Sequence, residues 1–271
     1  MKDTMIVDTE SSLWKLKIII NELNKLGNDF YKQENWIEVN EILGRLEWIV
    51  IENFSKDAKK LKKYKKKIGI GLHLTLTDFK PLTELKDLKR NGKMISIKSL
   101  IVKSLTGNIN ENQIYKEIDS QINIFKKYIG FEPNFIDGHH HVHQLPVVRD
   151  CLVKVLNKRN LTNKIWVRNT DEDLFKIIKR KVCVIKTLLL SFYGKKFKHI
   201  AKKNLIKTNN GFSGIYDFSE TKNYELLFDQ FISFLKPNHL IMVHPGFNDK
   251  DLSKLDSVTT TRDLEFEFLS S

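Results

Sequence analysis

The sequence lacks the features of secreted, disulfide-stabilised and membrane-spanning proteins. Its 271 residues include two cysteines, Cys151 and Cys183, which are too few for a disulfide framework and do not form a Cys-x-x-Cys pair. No apolar run reaches the roughly 18–20 residues of a membrane span, since residues 182–193 are interrupted by Lys186. The first ten residues have no basic stretch followed by an apolar one, so we expect no secretory signal and a cytoplasmic location.

Negative charge is also scarce relative to positive charge. The 46 lysines and arginines exceed the 33 aspartates and glutamates, which gives a formal charge of +13. The basic runs at 56–67 and 176–207 contain apolar residues at helical spacing, and those of the second run are Leu174, Ile177, Ile178 and Val182. We interpret both runs as amphipathic helices with solvated lysines, and we do not expect a nucleic-acid partner.

The chain alternates between strand and helix patterns, and its 41% hydrophobic content is enough for a sizeable core. Period-2 alternation predicts a strand at 68–77 with Leu72, Leu74 and Leu76 on one face and His73 on the other. Residues 134–143 are predicted as a short strand that runs into a loop. Further strands are predicted at 164–169 and 239–243, helices at 114–129, 147–157 and 220–235, and a loop at 209–214. This order favours a parallel sheet covered by helices, either open or closed into a barrel.

Histidines lie on or at the ends of three of these strands. On an extended backbone Asp137, His139, His141 and His143 would share one face, where four ionisable groups are costly unless they hold a metal or line a cleft. His73 lies on the polar face of an earlier strand, and His244 follows the apolar strand before Pro245. Imidazoles from separate strand ends favour a mononuclear hydrolytic metal site, so we predict that the rings of His73 and His139 converge.

The motifs, taken in order along the chain, resemble those of the YdjC-like carbohydrate deacetylases, which include the chitooligosaccharide deacetylases. The matching segments, which span roughly residues 68–271, are Gly71-Leu-His-Leu-Thr-Leu-Thr77 with Pro81, Pro133-Asn-Phe-Ile-Asp-Gly-His-His-His-Val-His143 with Pro146, Arg168, Asn210-Gly-Phe-Ser213, Val243-His-Pro245 and Arg262-Asp-Leu-Glu265. The resemblance implies one domain over residues 1–271 with a divergent part at 1–60. It also implies an irregular, TIM-barrel-like (β/α) barrel, a divalent ion (Mg²⁺ or Zn²⁺), hydrolysis of N-acetyl groups from sugars and often a homodimer.

Carried over by motif, the resemblance implies that His73 and His139 are metal ligands and that His244 is the acid for the leaving amine. Candidates for orienting a ligand or binding substrate are Asp137, His141, His143, Arg168 and Phe212.

The amino end departs from the family pattern, which opens with Ala-Asp-Asp-Phe-Gly. Aligning Gly27-Asn28-Asp29-Phe30 there makes Asp29 the metal carboxylate and places Asn28 where the catalytic base belongs. A rival alignment uses residues 17–21 as the opening strand, and Leu23 and Asn24 then replace both aspartates. An amide cannot accept the proton of an attacking water. Two hypotheses therefore stand beside each other: an active deacetylase, and an impaired relative that binds sugar or metal.

Overall fold

The computed structural model of the chain describes residues 69–218, 223–245 and 260–270, together with Lys62 and Lys65. These residues fall into two compact units. Unit 1 contains residues 69–170 and 192–209, and unit 2 contains residues 171–191, 210–218, 223–245 and 260–270. Asn28 and Asp29, and the other residues of the divergent amino end up to position 61, lie outside the described residues.

Unit 1 is organised around a four-stranded sheet in which every recorded pair is parallel. Its strands are β1 (Leu72–Leu74), β4 (Phe135–Gly138), β5 (Trp166–Val167) and β6 (Lys207–Thr208), in the order β1-β4-β5-β6. The register pairs His73 with Asp137 across β1 and β4. A hairpin of β2 (Lys89–Arg90) and β3 (Lys93–Met94) lies outside this sheet. The sheet therefore places the two histidine motifs of the sequence side by side.

The helices of unit 1 follow the predicted apolar spacing. They are α1 (Ile97–Leu105), α2 (Glu111–Ile129), α3 (Val148–Lys158) and the second half of α5 (Val184–Lys203). The α2 helix begins where the Asn110 side chain accepts a hydrogen bond from the Gln113 amide, and it ends at Gly130, whose φ of 86° is left-handed. Its buried face packs on α3 and β1, and this face includes the predicted apolar residues Ile114, Ile118, Ile122, Phe125 and Ile129.

Unit 2 contains the parallel pair β7 (Gly211–Ser213) and β8 (His239–Ile241), with α4 (Leu174–Arg180), the first half of α5, α6 (Tyr224–Ile232) and α7 (Thr260–Ser270). A mainly aromatic cluster forms its core, and the buried members are Tyr216, Tyr224, Phe228, Phe231 and the aliphatic Ile241. The loop predicted at 209–214 is wrong in part, because Gly211–Ser213 pairs with β8 as a strand. Asn and Gly at 209–211 mask this pairing in the sequence.

The apolar stripe predicted for the second basic run is also wrong in part. Ile177 is buried, but Leu174 and Ile178 are 59% and 53% exposed. The α4 helix is seven residues long, and the residue that it buries beside Ile177 is Arg180, which pairs with Glu172. A short helix that buries a paired cation has little room to bury a wide apolar face.

The predicted α/β fold with parallel strands is confirmed. Within the described residues these strands form an open four-stranded sheet and a two-stranded sheet, with no closed ring of strands. No helix in this described part is both long and apolar enough to cross a bilayer. The expectation of one domain over the whole chain stays a prediction.

Candidate active site

The candidate site in unit 1 begins with a chain of three polar side chains at neighbouring strand ends. Asp137 Oδ1 lies 2.9 Å from His73 Nδ1, and Asp137 Oδ2 lies 2.8 Å from Arg168 Nη1. Arg168 Nη2 also donates to the carbonyl of Gly138 at 2.5 Å. The side chains of His73 and Asp137 are only 13% and 16% exposed. The parallel register of β1, β4 and β5 therefore holds the Asp137 carboxylate, largely buried, between His73 and Arg168.

Electrostatics favour the ionised form of Asp137. Burial acts to raise the pKa of its carboxyl, but Arg168 and His73 outweigh burial and hold that pKa well below its ordinary value. An ionised carboxylate only accepts hydrogen bonds, so the proton between the two groups belongs to Nδ1 of His73. A neutral His73 then carries its lone pair on Nε2, the form in which a histidine binds a metal ion.

The backbone leaves the extended conformation directly after Asp137 and Gly138. Residues His139–Gln144 form 3₁₀ turns interrupted by a kink at His140 and His141, whose φ values of 51° and 57° are left-handed. The expectation that Asp137, His139, His141 and His143 share one face is therefore wrong beyond β4, since that alternation requires extended backbone. The ring centroids of His73 and His139 lie 5.7 Å apart, which confirms the predicted proximity of these two rings.

The turn also brings His139 beside Asp78 and His140, to which the family motifs assign no role. Asp78, His139 and His140 place one potential ligand atom each within 4.8 Å of one another. Asp78 follows the predicted first strand directly and has a left-handed φ of 63°. Its only sequence signal is this adjacency. An extended backbone would place His140 on the face opposite to His139.

His143 and Arg168 are both buried and contact each other, so they do not line an open cleft. His143 is fully buried, and its Nε2 lies 2.8 Å from the Arg168 carbonyl. Burial, followed by the charge of Arg168, lowers the pKa of His143 to about 3, so the ring is neutral at physiological pH. A Cβ atom at position 138 would lie 2.5 Å from His143 Nδ1, so Gly138 provides the space for this ring. His141, which lies between Gly138 and His143 in the sequence, is half-buried.

His244, the predicted acid, is held in unit 2 after β8. Its backbone amide donates to Glu265 Oε2, and its Nδ1 lies 4.0 Å from Glu265 Oε1. Phe218 packs edge-on against the imidazole at 5.0 Å. Glu265 is fully buried and accepts a hydrogen bond from the Tyr216 hydroxyl at 2.5 Å, and burial raises its pKa despite these partners. Sequence reasoning placed Glu265 in a matching motif but gave it no role.

Unit 2 also contains a buried polar cluster that the sequence did not reveal. Glu172 Oε2 pairs with Arg180 Nη1 at 2.8 Å, and His239 Nε2 lies 3.0 Å from the Ser213 hydroxyl. The candidate substrate residue Phe212 is next to this cluster in β7 and is fully buried. Buried charge separated along the chain leaves no local sequence pattern.

Comparison with known proteins identifies the family. The family described as YdjC-like protein matches residues 49–271. A chitooligosaccharide deacetylase of Enterobacter sp. (strain 638) is 30% identical over 98 residues, which are 36% of this chain and 38% of the relative. A chitooligosaccharide deacetylase of Yersinia enterocolitica is 31% identical over 108 residues, 40% of this chain and 42% of the relative. A carbohydrate deacetylase of Xenopus laevis is 33% identical over 101 residues, 35% and 32% of the two chains.

One similar crystal structure is that of a candidate cellobiose-phosphate cleavage protein from Enterococcus faecalis V583. It superposes with a TM-score of 0.60 at 20% identity and covers 87% of this chain and 85% of the other. At this identity the similarity supports the fold alone. The chain matches about two fifths or less of the length of each of these three deacetylases, so the similarity in sequence is confined to a part of them.

Proposed function

Because the chain belongs to the family of YdjC-like proteins, we propose that it is a metal-dependent hydrolase that removes N-acetyl groups from carbohydrates. The observation that carries the proposal is the oriented imidazole of His73, held by Asp137 at 2.9 Å, beside the ring of His139 at 5.7 Å. Relatives named as deacetylases of carbohydrates and chitooligosaccharides support the substrate class.

The donor set fits a divalent ion. His73 and His139 would hold it through neutral imidazole nitrogens, with Asp29 as the carboxylate expected from the sequence. When bound, a Mg²⁺ or Zn²⁺ ion supplies Lewis-acid polarisation of the acetyl carbonyl and activation of water. Asp137 fixes the tautomer and direction of His73, and Arg168 keeps Asp137 charged.

Proton transfers define the other roles. Amide hydrolysis breaks the C–N bond, and the departing nitrogen needs a proton. The resemblance assigns this delivery to His244, whose Nδ1 faces Glu265. The water must in turn lose a proton, and Asn28 cannot accept it. General-base assistance is worth about 10²–10⁴ in rate, so this departure favours the alternative of an impaired relative that still binds sugar or metal.

The test is acetate release from N-acetylated chitooligosaccharides after chelation and metal add-back. We expect turnover that disappears with chelator, returns with Mg²⁺ or Zn²⁺, and is lost in His73→Ala and His139→Ala. His199→Ala, which changes an exposed histidine of α5, is the matched control. Turnover that survives chelation and both substitutions would overturn the proposal. If the protein binds the ion but releases no acetate, and Asn28→Asp restores acetate release, the chain is the impaired relative.

The homodimer and the cytoplasmic location stay predictions from the sequence. The expectation that nucleic acid is not a partner has the same standing.

A further inference from the structure

Three side chains that can bind a metal ion meet at the turn that follows β4 in unit 1. Asp78, His139 and His140 each offer one ligand atom, and these atoms all lie within 4.8 Å of one another. Ligand atoms around one Zn²⁺ ion lie roughly 3–4 Å apart. The side chains of His140 and Asp78 are 38% and 42% exposed, so both have room to rotate toward that spacing.

The backbone at this cluster is unusual. Asp78, His140 and His141 all have left-handed φ values, which non-glycine residues seldom adopt. Hydrogen bonds hold the segment around Asp78, since its amide donates to the Ile95 carbonyl at 3.4 Å and the Phe79 amide donates to Thr77 at 2.7 Å. Backbone of this kind is typical of ligand-binding segments, because it persists only where the surroundings hold it in place.

The partners of the cluster are suited to a cation. Asp78 Oδ2 lies 3.7 Å from His140 Nδ1, and the His139 and His140 ring centroids are 3.9 Å apart. Two imidazoles at this separation can both bind one divalent ion as neutral rings. Arg168, the cation in contact with Asp137, has its Nη1 and Nη2 atoms on Asp137 and Gly138. The set of one carboxylate and two imidazoles is a donor combination that suits Zn²⁺.

We infer that Asp78, His139 and His140 form a second cation position, distinct from the one that His73 and His139 are proposed to build with Asp29. This inference rests on the proposed function only for the role of His139. A neutral imidazole donates one lone pair to one ion, so His139 serves one position at a time and the two positions are alternatives. The second position needs no residue of the divergent amino end, so its three-ligand set does not depend on which residues stand in place of the family's aspartate pair.

The experiment measures Zn²⁺ affinity of the full chain by competition with a chelator, and Co²⁺ binding by its visible absorption. We expect one ion per chain and a fall of at least about tenfold in His73→Ala, with binding retained. Adding Asp78→Asn or His140→Gln to His73→Ala should lower the affinity at least about tenfold further. Asp87→Asn and His199→Gln, which change exposed residues of unit 1, are the matched controls. Circular dichroism and thermal unfolding of every variant identify any that fails to fold.

Two results would overturn the inference: loss of all binding in His73→Ala that is folded, or equal affinities for the Asp78→Asn and Asp87→Asn variants in that background. Its failure is separable from that of the proposed function. Zn²⁺ binding that depends on Asp78 and His140 without any acetate release supports the second position and contradicts the deacetylase. Acetate release together with an unchanged Zn²⁺ affinity in Asp78→Asn supports the deacetylase and contradicts the second position.

Discussion

Each of the two units buries an arginine, a carboxylate and a histidine in contact, and comparing the two groups shows what distinguishes a candidate site from a structural cluster. In unit 1 the group is Arg168, Asp137 and His73, joined at 2.8 Å and 2.9 Å. In unit 2 it is Arg180, Glu172 and His239, joined at 2.8 Å and 3.6 Å. The chemical groups are the same, and all the side chains are at least 84% buried.

The difference lies in the second nitrogen of each histidine. His239 is 0% exposed, and its Nε2 lies 3.0 Å from the Ser213 hydroxyl, so both of its nitrogens face groups of unit 2. His73 is 13% exposed and presents Nε2, with its lone pair, in a region shared with His139. A buried ion pair beside a histidine is therefore weak support for function. What matters is whether the histidine that it orients faces further ligands.

The largest effect is expected from disrupting the buried group of Arg180, Glu172 and His239 in unit 2. Glu172→Gln leaves Arg180 buried without its charge partner, which should lower the free energy of unfolding by about 3–5 kcal/mol. Chemical denaturation measures the loss, and Glu225→Gln on the exposed face of α6 is the control. Zn²⁺ affinity should stay within about twofold of the wild-type value. A large fall in affinity would mean that the two groups are not different in role.

Glycines provide a second way to test the comparison, since each unit places one against a buried histidine. A Cβ at position 138 would lie 2.5 Å from His143 Nδ1, and one at position 211 would lie 2.4 Å from His239 Nδ1. Gly138→Ala and Gly211→Ala should each cost about 1–3 kcal/mol in unfolding experiments. Combining each with alanine at the facing histidine should cost less than the sum of the single changes. Strict additivity would show that the ring contact is not the cause.

Asp137→Asn should weaken metal binding about 10–100-fold, because it removes the charge that orients His73 and pairs with Arg168. Chelator competition at a temperature where the variant is folded measures the effect. Asp150→Asn, on α3, is the control for loss of one carboxylate in unit 1. An unchanged affinity in a folded Asp137→Asn protein would remove the distinction between the two groups.

The smallest effect is a pH dependence that both units share. Burial is the first cause that lowers the pKa of His143 and of His239 to about 3, while an unfolded histidine titrates near 6.5. Below about pH 6.5 the unfolded state binds protons at these histidines and the folded state does not, so the free energy of unfolding decreases as the pH is lowered. The fall is about 0.8 kcal/mol per histidine between pH 7.5 and pH 6. His239→Asn should flatten this slope, whereas His199→Asn should leave it unchanged, as unfolding curves across this range will show.

The sequence by itself determined the elements whose patterns are local. Helix α2 follows from apolar residues at helical spacing between Asn110 and Gly130, and β1 follows from the alternation around His73. The proximity of His73 and His139 also followed from sequence, because parallel strands end at a common edge. Periodicity and strand-end position are properties that a chain carries without its partners.

Tertiary structure alone decided the contacts between distant segments and the backbone of the turns. Arg168 reaches Asp137 because β4 and β5 are neighbours, and 211–213 is a strand because β8 pairs with it. Asp78 meets His139 and His140 because the chain turns left-handed at residues 78, 140 and 141. Pairing depends on which strand lies alongside, and left-handed backbone in non-glycine residues depends on the contacts that hold it, so neither is written in the local pattern.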